Sequence, residues 1–160
     1  MGDYILKEDD ITKNLSHEDA SFAPTWSIDL HWQDPKNSEH FPGNTFKAVT
    51  KHILIHPYAV PYRCLYSRNV ENLFMAGRNI SVTHVALGTV RVMRTTGMMG
   101  EVVGMAASLC KKYDVTPRGV YRSNLEDLKT LMKEGVNKKG LPNNQRYNEG
   151  GILKDKPVVQ

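Results

Sequence analysis

A histidine and an arginine stand seven residues apart in the middle of the chain. His84 carries an imidazole, which exchanges a proton near neutral pH, and Arg91 carries a guanidinium, which can bind a carboxylate. We therefore take both as candidate catalytic residues on the substrate side of a site. The alternatives stay open at this point: His84 can be a structural hydrogen-bonding residue, and Arg91 can lie away from any ligand.

The other histidines do not follow a metal-binding motif. His52 and His56 have i,i+4 spacing, which suits two ligands on one helical face, but the glutamate of an H-E-x-x-H motif is absent and Pro57 follows at once. We therefore predict no metal site. Asp29 and His31 alternate along a candidate strand and lie on the same side of it, facing either solvent or a substrate cleft.

Small residues recur at helical spacing after Arg91. Gly97, Gly100, Gly104 and Ala107 are three, four and three residues apart, which places them on one face of a helix. Glycine within a helix costs about 0.5 to 1 kcal/mol relative to alanine, so several together indicate that something approaches the backbone closely. A neighbouring backbone and a ligand both fit this pattern.

The elements that would position this face are a short strand and a long helix. Residues 73–77 form an apolar run that stops at Gly77, which predicts a buried strand, and residues 95–113 have the periodicity and length of a helix. Residues 78–94 between them read as a loop or short helix. Ligands of open α/β sheets lie beyond the carboxyl ends of strands, where helix N-termini offer free N–H groups. We therefore expect Gly77 to point toward the start of this helix.

The first part of the chain predicts further short elements. Residues 3–24 are polar and turn-rich and predict a short helix or two. Residues 25–32 alternate large apolar with polar side chains, which is typical of a half-buried strand. A loop over residues 33–38 and a turn at residues 42–44 follow, and residues 59–67 predict a second strand that a proline confines to an edge or entry position.

One more helix is predicted near the C-terminal end. Residues 123–134 place Ser123 at the N-cap and Glu126 three residues later, which is the spacing of a capping box. Gly135 is the expected stop. Residues 137–160 are rich in Lys, Asn, Gly and Pro, so we expect little packed structure there.

Length and composition limit the function classes. A chain of 160 residues can bury one sizeable core, and its net charge of +4 is spread without the basic clusters typical of nucleic-acid binding. Cys64 and Cys110 are far apart, which argues against a disulfide framework. The scattered basic residues therefore predict no nucleic-acid partner. No apolar run is long enough to span a bilayer, so no membrane partner is predicted either. The cellular compartment stays open.

Three stretches of the sequence resemble a known family. They are Tyr-Arg-Cys-Leu at residues 62–65, Val-Glu-Asn-Leu-Phe-Met-Ala-Gly-Arg-Asn-Ile-Ser at residues 70–81, and Thr-His-Val-Ala-Leu-Gly-Thr-Val-Arg-Val-Met at residues 83–93. Together they strongly resemble the C-terminal region of bacterial FAD-dependent oxidoreductases, in which these stretches complete the flavin site. The resemblance covers roughly residues 2–120.

The resemblance implies FAD as cofactor and names the residues near it. Residues 76–78 would end a strand beside the ribityl and pyrophosphate groups, and residues 96–100 would start a helix near the pyrimidine edge. Many flavoproteins have an acidic residue directly after the strand-end glycine, whereas Arg78 stands here and would pair with a phosphate or form an internal salt bridge. Arg91 would bind a carboxylate of the substrate or stabilise a reduced, anionic flavin. The cofactor-binding residues implied are Ala76, Gly77, Arg78, Ser81, Thr96, Gly97, Met98 and Gly100.

The sequence lacks the segment that would bind the other half of FAD. No G-x-G-x-x-G turn is present, and that turn normally lets the pyrophosphate approach a helix N-terminus. We therefore expect an α+β, partly α/β, C-terminal fragment of a two-domain FAD-binding fold, which needs an N-terminal dinucleotide-binding segment as partner. The expected parts are residues 1–67 in a substrate or cap region, residues 68–121 in the FAD-binding domain, and residues 122–160 as a helix and flexible tail.

Two other function classes compete with an enzyme acting on a small organic substrate. The chain could be a non-catalytic module that covers a cofactor or carbohydrate site of a larger secreted protein. It could also be a structural or oligomerising domain, in which helix packing alone explains the small-residue face. In isolation the chain would bind FAD weakly and expose apolar surface, which favours a homo-oligomer.

Overall fold

The computed structural model describes residues 1–34 and 48–136. Over those residues the fold is α+β, as predicted, with five α-helices, one 3₁₀ turn and two antiparallel sheets of two strands each. None of these helices is both long and apolar enough to cross a membrane. The helices are α1 (Glu8–Thr12), α2 (His84–Val90), α3 (Met93–Tyr113), α4 (Pro117–Ser123) and α5 (Leu125–Glu134), and the strands are β1 (Ala20–Phe22), β2 (Ile28–Gln33), β3 (Ala48–Ile53) and β4 (Val60–Pro61).

Helix α3 lies against most of the core. Its buried side chains include Met99, Val102 and Ala106, which are fully buried, and the helix contacts α4, α5 and β1. The sequence prediction of a helix over residues 95–113 is thus confirmed, with two more residues at the start. The helix ends where Asp114 adopts a left-handed conformation, with φ of 51°. The positive charges of Lys111 and Lys112 in its last turn interact favourably with the negative end of the helix dipole.

The predicted start of the last helix at Ser123 is wrong. Thr116 caps an earlier helix, its Oγ1 accepting a hydrogen bond from the Gly119 N–H at 3.1 Å, and Pro117 occupies the first turn. That helix, α4, runs through Ser123, so α5 begins only after Asn124, whose side chain makes no capping hydrogen bond. The predicted stop at Gly135 is confirmed, with φ of 72°.

The apolar run at residues 73–77 does not form the predicted buried strand. Phe74 forms an isolated bridge with Tyr66, and Leu73 is 44% exposed. An apolar run without periodicity does not determine whether a partner strand is available. Here a turn precedes the run, and a single bridge forms with the rest of the described chain. Gly77 then adopts a φ of +115°, which favours glycine and turns the chain away from extended geometry.

The strands predicted over residues 25–32 and 59–67 are confirmed only in part. Strand β2 begins at Ile28, and its apolar side is not buried throughout, since Trp26 is 48% and Trp32 45% exposed. Only the start of β2 lies against the core, and the rest extends with β3 as a hairpin arm. Over residues 59–67 the strand is limited to Val60–Pro61, because the chain then tightens into the 3₁₀ turn Tyr62–Cys64.

The start of the chain contacts the 3₁₀ turn Tyr62–Cys64. Residues 3–24 contain α1, as predicted, and also the short strand β1, which the turn-rich sequence did not indicate. Asp19 is fully buried and accepts two side-chain hydrogen bonds from Arg63, each of 2.9 Å. The turn predicted at residues 42–44, most of the loop at residues 33–38 and the tail at residues 137–160 lie outside the described residues.

Candidate functional site

A hydrogen bond joins Gly77 to the long helix. The N–H of Gly77 donates to Sδ of Met99 at 3.2 Å, and the preceding Met75 N–H donates to the Leu65 carbonyl at 2.7 Å. Because Met99 lies in the second turn of α3, residues 76–78 lie beside the beginning of this helix. Ala76 and Arg78 are exposed at this position.

The small-residue face of α3 is open. A Cβ built on Gly97, Gly100 or Gly104 would have no heavy atom within 4 Å, and Ala107 on the same face is exposed. In the part of the chain that the structure describes, therefore, no neighbouring backbone packs against these glycines. Helix packing among the described residues does not account for them.

The remaining residues that the resemblance assigned to the cofactor differ in their surroundings. Met98 lies on the other side of α3 and is 7% exposed in the core. Ser81 is 3% exposed, lies beside Gly2, and its Oγ has no hydrogen-bond partner among the described residues. Thr96 is half-buried at the start of α3, where its Oγ1 donates to the Met93 carbonyl at 2.8 Å.

Helix α2 carries both candidate catalytic residues. Thr83 caps it through Oγ1, which accepts from the Ala86 N–H at 3.4 Å, and His84 is exposed in the first turn. Arg91 is the C-cap residue. Seven helical residues make about two turns and rise about 10.5 Å, so His84 and Arg91 share a face without touching each other. Between them Gly88 lies against the Asp29 backbone of β2.

Arg91 reaches a cluster that the sequence alone did not assemble. Its Nη2 donates to the Asp29 carbonyl at 3.1 Å and lies 3.3 Å from Asp29 Oδ2. The other carboxylate oxygen, Oδ1, is 2.7 Å from His31 Nε2 and 2.5 Å from His52 Nε2. Asp29 and His52 are direct partners across the β2–β3 pair, and His31 follows on the same side of β2.

The electrostatics of this cluster favour an ionised carboxylate. Burial alone raises the pKa of Asp29, but the imidazoles of His31 and His52 outweigh it, so that the pKa of the carboxyl lies below its usual range. Asp29 is 9% exposed, whereas the His31 and His52 side chains are 45% and 58% exposed. The cluster therefore presents two accessible imidazoles on a nearly buried anion.

The sequence drew attention to all four of these residues separately but not to their association. His52 was paired with His56 on an assumed helix, whereas His52 lies in β3. The signal available in the sequence was the alternation of Asp29 and His31 on one side of a strand. A hairpin partner was needed to find His52, and its register with β2 could not be read from the sequence.

Arg78 makes no ion pair within residues 1–34 and 48–136. Of the two roles considered for it, the internal salt bridge is thus not formed in the described part of the chain. Arg78 is exposed beside Gly77, whose N–H contacts Met99 of α3.

Comparison with known proteins decides the family. Residues 1–132 match the sequence model of the family described as FAD dependent oxidoreductase, which is 132 of the 160 residues. The chain belongs to the FAD-dependent oxidoreductase family. The function of this family member is accordingly of the FAD-dependent oxidoreductase type. No curated protein and no solved structure is significantly similar to the chain.

The family match includes every element described around the site. It begins before β1 and ends within α5, so both Asp29 and the open face of α3 lie inside it. The resemblance read from the sequence covered roughly residues 2–120 and is confirmed at the level of the family. The 28 residues beyond the match, residues 133–160, contain none of the candidate site residues.

Proposed function

We propose that this chain supplies the flavin-side half of an FAD site in a larger bacterial oxidoreductase that oxidises or reduces a small organic molecule. The observation that carries the proposal is the 3.2 Å hydrogen bond from Gly77 N–H to Met99 Sδ. It joins residues 76–78 to the helix whose small-residue face is open. Two stretches that the family resemblance assigns to the flavin are thus neighbours in space.

The exposed residues at and beside the start of α3 fit an anionic, planar ligand. The bare backbone at Gly97 and Gly100 leaves room for a close approach, and the first N–H groups of α3 have no acceptor within the helix. Arg78 adds an exposed cation that can pair with a phosphate. Because the Met98 side chain is in the core, Met98 would contact the cofactor through its backbone.

The substrate side of the proposed site is α2. When bound, FAD supplies the redox chemistry by exchanging a hydride equivalent with the substrate. His84 is exposed and would move a proton to or from the substrate at an imidazole nitrogen. Arg91 would bind a substrate carboxylate, with its guanidinium held in place by Asp29.

The ADP half of FAD needs a second segment. The G-x-G-x-x-G turn that holds a pyrophosphate is absent from the 160 residues, as is an acidic residue at the appropriate distance beyond such a turn. We infer that a dinucleotide-binding segment precedes this chain in the intact protein and completes the site. Without it, loss of pyrophosphate and ribose contacts would remove several kcal/mol, and each 1.4 kcal/mol is about tenfold in affinity.

A fluorescence titration tests this division of the cofactor site. FAD is titrated into the isolated 160-residue chain and into the intact protein stripped of flavin. We expect tight binding only by the intact protein, and weak binding, beyond the micromolar range, by the chain alone. Saturable submicromolar binding by the isolated chain would contradict the division.

A pair of leucine variants tests whether the open face of α3 contacts the flavin. In the intact protein Gly100→Leu should lower the flavin content of the purified enzyme, because its side chain would occupy the space beside the backbone. Lys133→Leu adds an exposed leucine on α5 and should keep full flavin content. If Gly100→Leu keeps its flavin but changes its oligomeric state, the face is a protein interface and the proposal is wrong.

A further inference from the structure

The Asp29 cluster combines three potential metal ligands from two strands. One carboxylate oxygen of Asp29 and one ring nitrogen each of His31 and His52 lie within 4.8 Å of one another. The hairpin register fixes this grouping, since Asp29 pairs directly with His52 and His31 follows two residues later on the same face. Two strands of one sheet thus hold the set, independently of any cofactor.

The two imidazoles meet at one carboxylate oxygen. Oδ1 of Asp29 lies 2.7 Å from His31 Nε2 and 2.5 Å from His52 Nε2 and is nearly inaccessible to solvent. When these nitrogens are protonated they pair with the carboxylate, and when they carry no proton their lone pairs face the same oxygen. In that deprotonated state the three atoms are a group of electron-pair donors, which a cation that binds all three would stabilise.

We propose that Asp29, His31 and His52 bind a divalent transition-metal ion of the Zn²⁺ type. Two imidazoles and a carboxylate form a common ligand set for such ions, and three protein ligands leave at least one coordination position for water or substrate. The imidazoles are 45% and 58% exposed, so the open position faces solvent. The proposal differs from the prediction from sequence, which considered only a helical His52–His56 pair and predicted no metal site.

The distances require a small adjustment. Ligand atoms about 2.1 Å from a tetrahedral ion are about 3.4 Å apart, which is somewhat more than the separations of 2.7 and 2.5 Å found here. Each imidazole would have to move outward by less than about 1 Å. Because both are exposed and lie edge to face with ring centroids 6.1 Å apart, this movement would not disturb the core.

Arg91 completes the surroundings of the carboxylate. It contacts Oδ2 and the backbone carbonyl of Asp29 and leaves Oδ1 to the metal. A ligating carboxylate is commonly held in this way by a second hydrogen bond, which fixes its orientation. Gly88 lies against the same backbone and holds β2 against α2. Helix α2 thus supports the ligand set through both residues.

Metal titration of the purified intact protein, freed of metal by a chelator, tests the proposal. Isothermal titration with Zn²⁺ and visible absorption with Co²⁺ should each give one equivalent bound per chain. His31→Ala and His52→Ala should weaken binding more than about 100-fold, which exceeds the 10- to 100-fold effect typical of losing a residue that only orients a ligand. His56→Ala removes a half-buried histidine outside the cluster and should bind metal as the wild type does.

Folding controls keep the result interpretable. His31 and His52 are exposed, so their alanine variants should retain the wild-type circular dichroism and melting temperature in the absence of metal. Asp29→Asn keeps the side-chain size and should also abolish stoichiometric binding. No binding by the wild type, or an equal loss in His56→Ala, would overturn the proposal. Flavin-free protein suffices for these titrations, so the outcome is separate from that of the FAD experiments.

Discussion

Gly88 on α2 packs directly against the backbone of Asp29 on β2. A Cβ on Gly88 would lie 2.9 Å from the Asp29 carbonyl oxygen and 3.0 Å from its nitrogen, and the first distance is shorter than Cβ atoms adopt in folded proteins. This contact brings the helix that carries His84 and Arg91 against the strand that carries Asp29 and His31.

The Gly88 contact predicts a destabilising alanine variant. Gly88→Ala should lower the free energy of unfolding by about 1 to 3 kcal/mol, because α2 and β2 must separate to admit a methyl group. Chemical denaturation followed by circular dichroism measures this change. A free energy of unfolding equal to or above that of the wild type would show that the two elements are not in tight contact.

The opposite result is expected on the open face of α3. Gly104→Ala should raise the free energy of unfolding by about 0.5 to 1 kcal/mol, because the new methyl group meets no atom within 4 Å and alanine favours the helix. The same denaturation experiment on the 160-residue chain measures it. A loss of stability would mean that another surface packs on this face in solution.

The pairing of Arg91 with Asp29 predicts the effect of a conservative substitution. Arg91→Lys keeps the charge but loses the planar guanidinium, which contacts both the carbonyl and the carboxylate of Asp29. We expect kcat/KM of the intact enzyme to fall about 10- to 100-fold, corresponding to about 1.4 to 2.8 kcal/mol.

Arg122→Lys is the matched control for this substitution. Arg122 is exposed on α4, which packs against α3, α5 and the 3₁₀ turn, and its variant should keep wild-type kcat/KM. Steady-state kinetics with the two variants, each checked for full flavin content, gives the comparison. Equal activity of Arg91→Lys and wild type would remove Arg91 from the substrate side.

The ion pair between Asp3 and Arg118 predicts a dependence of stability on pH. Arg118 donates to both carboxylate oxygens of Asp3, at 2.7 and 2.6 Å, and this hydrogen bonding lowers the pKa of Asp3 below its usual value of 3.8. A depressed folded-state pKa means that the stabilisation is complete above the unfolded-state pKa and is lost as the pH falls through the lower, folded-state value.

Asp3→Asn should therefore be less stable than the wild type at pH 7 by no more than about 1 kcal/mol, because the pair is partly exposed. The difference should shrink below about pH 4 and vanish once Asp3 is protonated in the folded wild type. Asp9→Asn, which breaks the exposed pair with Lys13, is the control and should change stability by less than about 0.5 kcal/mol. A difference for Asp3→Asn that is independent of pH would contradict the assignment.

Sequence pattern alone determined the position of α3, the glycine face of this helix and the family. The period of apolar residues over residues 95–113 placed α3, since burial on one side of a helix requires that period whatever packs against it. The glycine spacing placed Gly97, Gly100 and Gly104 on one face, and the stretches at residues 62–93 indicated the family. None of these required knowledge of a distant partner.

Tertiary structure decided the features that depend on which segments meet. Residues 73–77 were apolar enough for a strand, but strand formation requires a neighbour with free hydrogen-bonding groups. Within residues 1–34 and 48–136 the run forms a single bridge, between Phe74 and Tyr66. The association of Asp29 with His52 depends on the register of β2 and β3, and a shift of one residue would turn His52 to the other side of the sheet. Pairing and register arise from contacts between residues far apart in the chain, so sequence pattern could nominate Asp29, His31 and Arg91 but could not bring them together with His52.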